Sequence, residues 1–542
     1  MNNFPWLTVI GVLPAVGALV VALLPKGRDL LAKQTALAFS TVALVLAVVM
    51  AVRFDPARSS GGRFQFAEQH SWIPQFGVHY ALGLDGIGLV LFLLTALLTP
   101  VVILASWNDA DAPARAAGAA VDATGQPTDA DKSDQQQRQG GVKTFFALML
   151  ALETLALGVF AATDVFLFYV LFEATLIPIY FLIGRFGGPR RSYAAVKFLI
   201  YSLVGGLLML ASVVGLYALS ASQSKGNPSF LLHSLTELNI DPATQKWLFA
   251  GFFIAFAIKA PMWPVHTWLP DAAREATPGT SVLLVSILDK IGTFGMIRLC
   301  LQLFPEASQW ATPAIIVLAV ISVIYGAVLA IGQRDIKTVI AYSSVSHFGV
   351  IVLGIFAMTS QGQTGATLYM LNHGLSTAAL FLVGGYLISR RGSSRIADFG
   401  GVDKVAPVLS GTFLFAALSG LALPGLAPFV SEFLALAGTF KRYEVAAIIA
   451  TCSIILAALY MLILFQRTMT GPTAAAVAKM PDLRGREKLA IAPLVVLIIA
   501  LGVFPKPALD VISPAVDATM KRVGVTDPAP KVPVTAPSEG TK

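Results

Sequence analysis

The chain alternates long runs of apolar residues with short connections that carry most of its charged and turn-forming residues. An α-helix needs about 20 apolar residues to cross roughly 30 Å of hydrocarbon. The pattern therefore predicts an all-α polytopic membrane protein with about 14 transmembrane helices, each satisfying its own backbone polar groups within the bilayer. The predicted spans are approximately 4–24, 30–52, 84–106, 143–162, 164–184, 193–219, 247–269, 279–303, 313–332, 337–358, 364–389, 407–439, 444–466 and 488–504.

Some segments depart from this apolar pattern. Residues 107–142 are rich in Ala, Gly, Gln and Asp and predict a polar flexible loop, whereas residues 505–542 form a Pro-rich tail that we expect to be extended or disordered. Aromatic residues favour the membrane interface, so the region around Trp72 and Tyr80 is interpreted as an interfacial loop. The chain accordingly divides into residues 1–106 with the first three spans, the loop 107–142, a five-helix unit 143–303, a second five-helix unit 313–466, a last loop and span 467–504, and the tail 505–542.

Composition supports the membrane interpretation. Hydrophobic residues make up 56% of the chain and charged residues 13%, where a soluble domain carries about 25% charged residues. The net charge of +8 comes from clusters between apolar runs, which favours loops facing anionic membrane lipids over a nucleic-acid surface. The two cysteines, Cys300 and Cys452, lie in apolar runs, and their spacing predicts neither a metal nor an iron–sulfur site.

The distribution of basic residues predicts the orientation. Lys and Arg are concentrated in the odd-numbered connections between spans, and the connection with Lys441 and Arg442 is an exception. Because basic loops tend to remain on the cytoplasmic side, the odd-numbered connections are predicted to be cytoplasmic. With fourteen spans, both termini would then lie outside the cytoplasm.

Several ionisable residues lie at mid-depth within different predicted spans. Such a group costs a few kcal/mol to insert and usually faces a polar interior that conducts ions. We therefore interpret these residues as candidates for an ion path across the membrane. They are Glu173, Lys259, Lys290, His347, His373 and Glu432.

Structural explanations for the same residues remain open. Glu173 and Lys259 could form a buried ion pair that only fixes helix packing, although such pairs are poor stabilisers. Lys290 could pair with the adjacent Asp289, and each histidine could make an ordinary interhelical hydrogen bond. Glu153 and Arg298 are interpreted as structural residues outside the path.

Proline and glycine positions predict two broken helices. Lys259 is followed by Pro261 and Pro264, and the long run 407–439 contains Gly420, Pro424, Gly425 and Pro428 before Glu432. Proline removes a backbone donor and opens the helix, and broken helices in membranes line polar cavities. Glu173 and His347 are 174 positions apart and Lys259 and Glu432 are 173 apart, a spacing that favours two five-helix repeats of inverted topology.

Six segments together resemble the antiporter-like, proton-pumping M subunits of bacterial respiratory complex I, the NADH-quinone oxidoreductase. The resemblance covers residues from about 83 to 436. The similar motifs are GLDGIGLVLFLLTALLTPVVIL (83–104), LFEATLIPIYFLIGRFG (171–187), KAPMWPVHTWLPDAAREATPGTS (259–281), QRDIKTVIAYSSVSHFG (333–349), NHGLSTAALF (372–381) and LALPGLAPFVSEFLAL (421–436).

The resemblance implies a channel subunit that carries no redox chemistry of its own. Glu173 and Lys259 match the family's Glu/Lys pair, and Lys290 matches its central lysine. His347 and His373 match histidines of a polar axis, and Glu432 matches its terminal acid. FMN, the iron–sulfur clusters, NADH and quinone would be bound by partner subunits, so no cofactor is expected in this chain.

The resemblance also implies where the chain is located and what surrounds it. We expect a multi-pass protein of a bacterial plasma (inner) membrane, surrounded by lipids and by L-like and N-like antiporter subunits, with no nucleic-acid partner. Asp289 stands where leucine is common in the family, and the polar loop 107–142 is longer than usual.

Two other functions remain open at this point. A multisubunit cation/proton antiporter could use the same fold and the same axis, although its related subunit usually carries lysine in place of Glu432. Alternatively, an ion-inactive scaffold subunit could use the buried charges only to specify assembly.

Overall fold

The computed structural model describes residues 4–59, 62–111, 141–224 and 226–529. Helices dominate these residues, which confirms the predicted fold class. They are α1 (Trp6–Leu23), α2 (Asp29–Val52), α3 (Gly86–Ala105), α4 (Gly141–Ala161), α5 (Val165–Ala174), α6 (Leu176–Phe186), α7 (Arg191–Gln223), α8 (Leu232–Thr236), α9 (Pro242–Lys259), α10 (Trp268–Glu275), α11 (Pro278–Val282), α12 (Asp289–Gly295), α13 (Pro305–Ile331), α14 (Ile336–Phe356), α15 (Ser360–Arg391), α16 (Pro407–Gly420), α17 (Ala427–Phe440), α18 (Glu444–Met469), α19 (Gly485–Val503) and α20 (Lys506–Val523).

Several of these helices begin at a polar residue that caps the first turn. The first backbone N–H groups of a helix have no partner within the helix, and an Asp or Thr oxygen satisfies them. Asp164, for example, accepts hydrogen bonds from the N–H groups of Phe166 and Leu167 at 2.9 and 3.0 Å. An Asp or Thr side chain caps the first turn of α3, α9, α11, α14 and α15 in the same way.

The region around Trp72 and Tyr80, predicted to be an interfacial loop, folds as a β-hairpin, and its position at the interface stays a prediction. Strands β1 (Gln65–Ile73) and β2 (Val78–Leu84) pair antiparallel, and the turn between them uses Gly77 at φ 66°, a conformation that glycine adopts without strain. The Tyr80 hydroxyl lies 3.0 Å from Thr8 Oγ1. The hairpin is therefore fastened to the start of α1.

Both predicted helix breaks are confirmed. The first break separates Lys259, the last residue of α9, from α10, and the second separates α16 from α17. At the first break the Trp268 indole N–H donates to the Ile258 carbonyl at 2.9 Å, which satisfies an acceptor that the broken helix leaves free. At the second break the Asn372 side-chain amide donates to the Ala427 carbonyl at 2.7 Å.

Two further interruptions were not predicted. Thr175 separates α5 from α6, and α12 is flanked by the π-helical turns Leu283–Leu288 and Met296–Leu301. A π-turn contains one more residue than an α-turn and commonly marks a functional site. Lys290 follows the first of these turns, so the interruption is located at a predicted site residue.

The exact count of fourteen spans is not confirmed. Among the described residues, ten helices are long and apolar enough to cross a membrane, and the pair α19–α20, bent by 72°, can be counted as an eleventh span. The segments around the two breaks and the 278–301 region consist of shorter helices, which do not reach that length individually.

The end of the chain differs from the predicted extended tail. Residues Lys506–Val523 form α20, whose inner face is buried. Gln302 donates from its amide to Thr519 Oγ1 at 2.9 Å, and Gln309 donates to the Val523 carbonyl at 2.8 Å. The expectation of an extended or disordered tail was wrong for these residues, while 530–542 lie outside the described part, as do residues 112–140 of the predicted flexible loop.

Burial divides the helices into a central and a peripheral set. The most apolar stretches of α14, α15 and α3 are 94, 89 and 83% buried, whereas that of α1 is 28% buried. Peripheral helices expose large apolar side chains, as expected for surfaces that contact lipid. Polar side chains on the central helices are thereby kept away from lipid.

The division into two inverted repeats stays a prediction. Lys259 ends the half-helix before the first break, whereas Glu432 lies in the half-helix after the second break. The two residues therefore do not occupy equivalent places relative to the breaks, although both lie next to one.

Candidate functional site

Lys290 lies at the centre of the helical bundle and is fully buried. Its ammonium group donates to the Val285 carbonyl at 2.6 Å and lies 2.8 Å from Nδ1 of His373 on α15. Val285 belongs to the π-turn, which directs its carbonyl toward a side chain five residues later. The predicted central lysine thus contacts one of the two predicted histidines directly.

A continuous series of side chains connects His373 to Glu432. The rings of His373 and His347 have centroids 5.4 Å apart. His347 Nδ1 lies 2.6 Å from the Tyr369 hydroxyl, and this hydroxyl also donates to Glu432 Oε2 at 3.1 Å. All four side chains are buried, so groups that can exchange protons extend from α12 to α17.

Tyr369 was missing from the predicted residues. It occurs in the apolar stretch LYMLNHG, where a tyrosine is an ordinary core or interfacial residue. The available signal was its spacing, since Tyr369 and His373 are four positions apart and therefore lie on one face of a helix.

Lys259 lies at the end of α9, beside the first break. Its ammonium donates to Thr175 Oγ1 at 3.3 Å and lies 4.9 Å from the centre of the Phe172 ring, a position for a cation–π interaction. The side chain is 1% exposed. The breaks at Thr175 and after Lys259 therefore meet at this ammonium group.

Glu173 is near Lys259, but the two groups are not in contact. Within the described part of the chain they form no ion pair within 4.0 Å, and Glu173 Oε1 has no hydrogen-bond partner. The carboxylate lies against Gly206 on α7, where a Cβ atom would lie 2.0 Å from Oε1. The predicted pair is therefore not a tight structural ion pair.

The two buried charges interpreted as structural have different surroundings. Arg298 forms a buried ion pair with Asp85 at 2.7 Å, and Asp85 also accepts from the N–H of Gly88 at the start of α3 at 2.8 Å. This geometry favours a structural role. Glu153 on α4 is 2% exposed, and its two oxygens have no hydrogen-bond partner among the described residues.

A polar cavity of about 670 Å³ lies at the end of the bundle where α3 and α15 end and α11 and α19 begin. Arg390 and Glu487 form an ion pair of 2.5 Å in its wall. Asp109 also lines this cavity. Burial raises the pKa of its carboxyl to about 6, although the positive charges of Arg486 and Lys337 lower it. This end carries the odd-numbered connections, which are predicted to face the cytoplasm.

Comparison with known proteins identifies the family. The family model described as NADH:quinone oxidoreductase/Mrp antiporter, TM, matches residues 162–457. NADH-quinone oxidoreductase subunit M from Mycobacterium tuberculosis (strain ATCC 25618 / H37Rv) is 53% identical, covering 100% of this chain and 98% of that protein. The subunit of the same name from Rhodobacter capsulatus is 36% identical, covering 94% of this chain and 95% of that protein.

Solved structures include a close match in fold. A chain of respiratory complex I from Thermus thermophilus with bound NADH superposes with a TM-score of 0.82 and 32% identity, covering 96% of this chain and 100% of that chain. The family match, the full-length relatives and this fold agree with one another. The chain therefore belongs to the NADH:quinone oxidoreductase/Mrp antiporter family of transmembrane proteins.

Proposed function

We propose that this chain is a membrane-arm subunit of a proton-translocating NADH-quinone oxidoreductase and carries protons along its buried Lys/His/Tyr/Glu series. The observation that carries the proposal is the connection from Lys290 through His373, His347 and Tyr369 to Glu432. Each of these groups can gain and lose a proton, and all five side chains are buried. Ionisable groups placed inside a membrane protein usually serve transport.

The proposed sequence of transfers begins at Lys259. The Glu173 charge stabilises the ammonium form of this lysine, so moving or neutralising Glu173 favours release of the proton toward Lys290. Lys290 then passes a proton to His373, and the series delivers it to Glu432 beside the second break. Each charge moved against 100 mV costs about 2.3 kcal/mol, which redox chemistry in partner subunits would supply.

The surroundings follow from the same proposal. FMN and iron–sulfur clusters would be bound by partner subunits, and L-like and N-like antiporter subunits would adjoin this chain in the membrane arm. The membrane would be the plasma (inner) membrane of a bacterium, with both termini outside the cytoplasm. Similarity to bacterial M subunits over at least 94% of the chain supports the bacterial membrane complex, and the basic connections support the orientation.

Replacing Lys259 in the assembled complex tests the proposal. We expect Lys259→Ala to abolish NADH-driven proton pumping, because the variant removes the first donor of the series. The matched control is Lys246→Ala on the same helix, whose ammonium lies over the Trp310 ring 4.8 Å away. Normal proton pumping per electron in the Lys259→Ala complex would refute the proposed mechanism.

A cation/proton antiporter is the second candidate, because the family description includes Mrp antiporters. Sodium–proton exchange by the purified chain alone in liposomes would favour it. An ion-inactive scaffold makes a different prediction. In that case Glu173→Gln would reduce the amount of assembled complex but leave the pumping ratio of the remaining complex unchanged.

A further inference from the structure

Asp289 is a buried carboxylate that the proposed series of transfers does not use. It is the first residue of α12, has no exposed surface, and neither of its oxygens has a hydrogen-bond partner within the described residues. Burying a carboxylate without such partners is costly. Packing alone therefore does not account for a carboxylate at this position, which differs from the similarly buried Glu153 in being adjacent to Lys290.

The packing of α12 places Asp289 on the side that faces α9. Gly292, three residues later and on the same helix face, lies so close to the end of α9 that a Cβ atom would be 2.6 Å from the Ala260 nitrogen and the Phe256 carbonyl oxygen. Successive residues of a helix diverge by about 100°. Lys290 accordingly points to a different side and contacts His373 on α15.

This arrangement puts Asp289 between the two lysines of the proposed path. Asp289 precedes Lys290 on α12, and the helix face that it shares with Gly292 meets Ala260, the residue that follows Lys259. The Lys259 ammonium itself contacts Thr175 and lies beside the Phe172 ring. Asp289 is thus a proton-binding group next to Lys290 on the side of α12 that faces the end of α9, and neither of its oxygens is engaged in a hydrogen bond within the described residues.

We propose that Asp289 carries the proton between Lys259 and Lys290, so that one long transfer becomes two short ones. In the first step an N–H bond of the Lys259 ammonium breaks and an O–H bond forms on Asp289, leaving a neutral amine and a carboxylic acid. In the second step this O–H bond breaks and an N–H bond forms on a Lys290 amine that has already passed its own proton to His373. No electron is transferred, and the inference rests on the proposed proton-pumping function.

Three substitutions in the assembled complex test this role. Asp289→Asn keeps the shape but cannot accept the proton, Asp289→Leu removes the polar group, and Asp289→Glu retains a carboxyl. We expect Asn and Leu to slow NADH-driven proton pumping by on the order of 100-fold, a typical contribution of a positioned proton-transfer group, and Glu to restore a large part of it. The matched control is Glu153→Gln, which alters an equally buried carboxylate outside the path and should leave pumping unchanged.

A second measurement separates a proton carrier from a fixed counter-charge. Infrared difference spectra on addition of NADH should contain a carboxylic-acid carbonyl band that Asp289→Asn removes and Glu153→Gln retains. NADH–ferricyanide activity measures the amount of assembled complex, and the Leu variant provides the test if Asn disturbs assembly.

The outcomes separate this inference from the function on which it rests. Wild-type pumping in Asp289→Asn, no recovery with Glu, or no band assignable to Asp289 would each overturn the carrier role. If Lys259→Ala also pumps normally, the proposed function itself fails. Loss of pumping in Lys259→Ala together with normal pumping in Asp289→Asn would refute the carrier role of Asp289 and leave the proposed pumping function intact.

Discussion

Single hydroxyl and carboxyl groups determine whether the buried series is continuous. Among the described residues, the Tyr369 hydroxyl lies within hydrogen-bond distance of both His347 and Glu432. A phenol can donate one proton while accepting another hydrogen bond. Tyr369 therefore has the geometry of a relay, although the sequence motif in which it lies is apolar.

Tyr369→Phe tests this relay without removing the aromatic ring. We expect proton pumping to fall by on the order of 100-fold, since a positioned proton-transfer group is lost, while the amount of assembled complex is maintained. Tyr386→Phe on the same helix is the control, because the Tyr386 hydroxyl has no hydrogen-bond partner in the described part of the chain. Equal pumping by the two variants would exclude the hydroxyl from the path.

Asp109 provides a pH-dependent test at the polar cavity. Burial raises its folded-state pKa from 3.8 to about 6, so the folded state binds this proton more tightly than the unfolded state. The contribution to stability is complete below pH 4 and is lost as the pH rises through 6.

Asp109→Asn should therefore raise the unfolding midpoint temperature of the purified complex at pH 8. The expected gain is about 1–2 kcal/mol, discounted for partial exposure, and it should become small at pH 5, where the wild-type carboxyl is mainly protonated. Differential scanning fluorimetry at both pH values measures the difference. An equal gain at pH 5 and pH 8 would show that the titration of Asp109 is not its cause.

Most residues of the site were predictable individually from the sequence, but the contacts between their side chains were not. Charged groups in apolar runs are conspicuous, and the structure gathers Lys290, His373, His347 and Glu432 into one series. The sequence could not show that Glu173 and Lys259 fail to touch, because their contact depends on side-chain rotamers and on the space beside Gly206. Their roles in transport stay predictions.

At the scale of helices and strands, breaks caused by proline were predictable and other interruptions were not. Pro261 and Pro264 follow Lys259 and remove backbone donors, so the local sequence predicts where α9 ends. The π-turns beside α12 have no comparable marker, since their extra residue is accommodated by tertiary packing. The hairpin β1–β2 was missed because its aromatic residues also suit a membrane interface.

Gly292 sets the distance between α12 and the end of α9. Gly292→Ala should destabilise the subunit by about 1–3 kcal/mol, a typical cost of overpacking, because the added methyl group meets backbone atoms of Phe256 and Ala260 at 2.6 Å. Gly411→Ala in α16 is the control, since nothing lies within 4 Å of its added methyl, and should be neutral or slightly stabilising.

The amount of assembled complex and its unfolding midpoint temperature measure both glycine variants. A Gly292→Ala complex as stable as the Gly411→Ala complex would show that the two helices can separate without cost. The placement of Asp289 between the lysines would then lose its structural support.

At the scale of the whole molecule, the distribution of burial explains which features the sequence revealed. Peripheral helices expose apolar faces and central helices bury polar ones, so hydropathy detects the spans while isolated charges mark the centre. Helix α20 was not predicted, because its prolines suggested an extended tail. Pro507 lies in the first turn, where a missing N–H is tolerated, and the buried face becomes apparent only when α3, α13 and α15 are in place.

Helix α20 should hold distant parts of the chain together. Its Val511 carbonyl lies 1.8 Å from the place where a Cβ of Gly86 would be, and its inner face packs against α3, α13 and α15. Val516→Asp places a charge on that buried face, at a cost of several kcal/mol. We therefore expect little assembled complex on native gels, whereas Asp517→Asn, at an exposed position of the same helix, should assemble normally. Normal assembly of Val516→Asp would mean that the packing of α20 is not needed for assembly, because a packed helix cannot bury an unpaired carboxylate without losing stability.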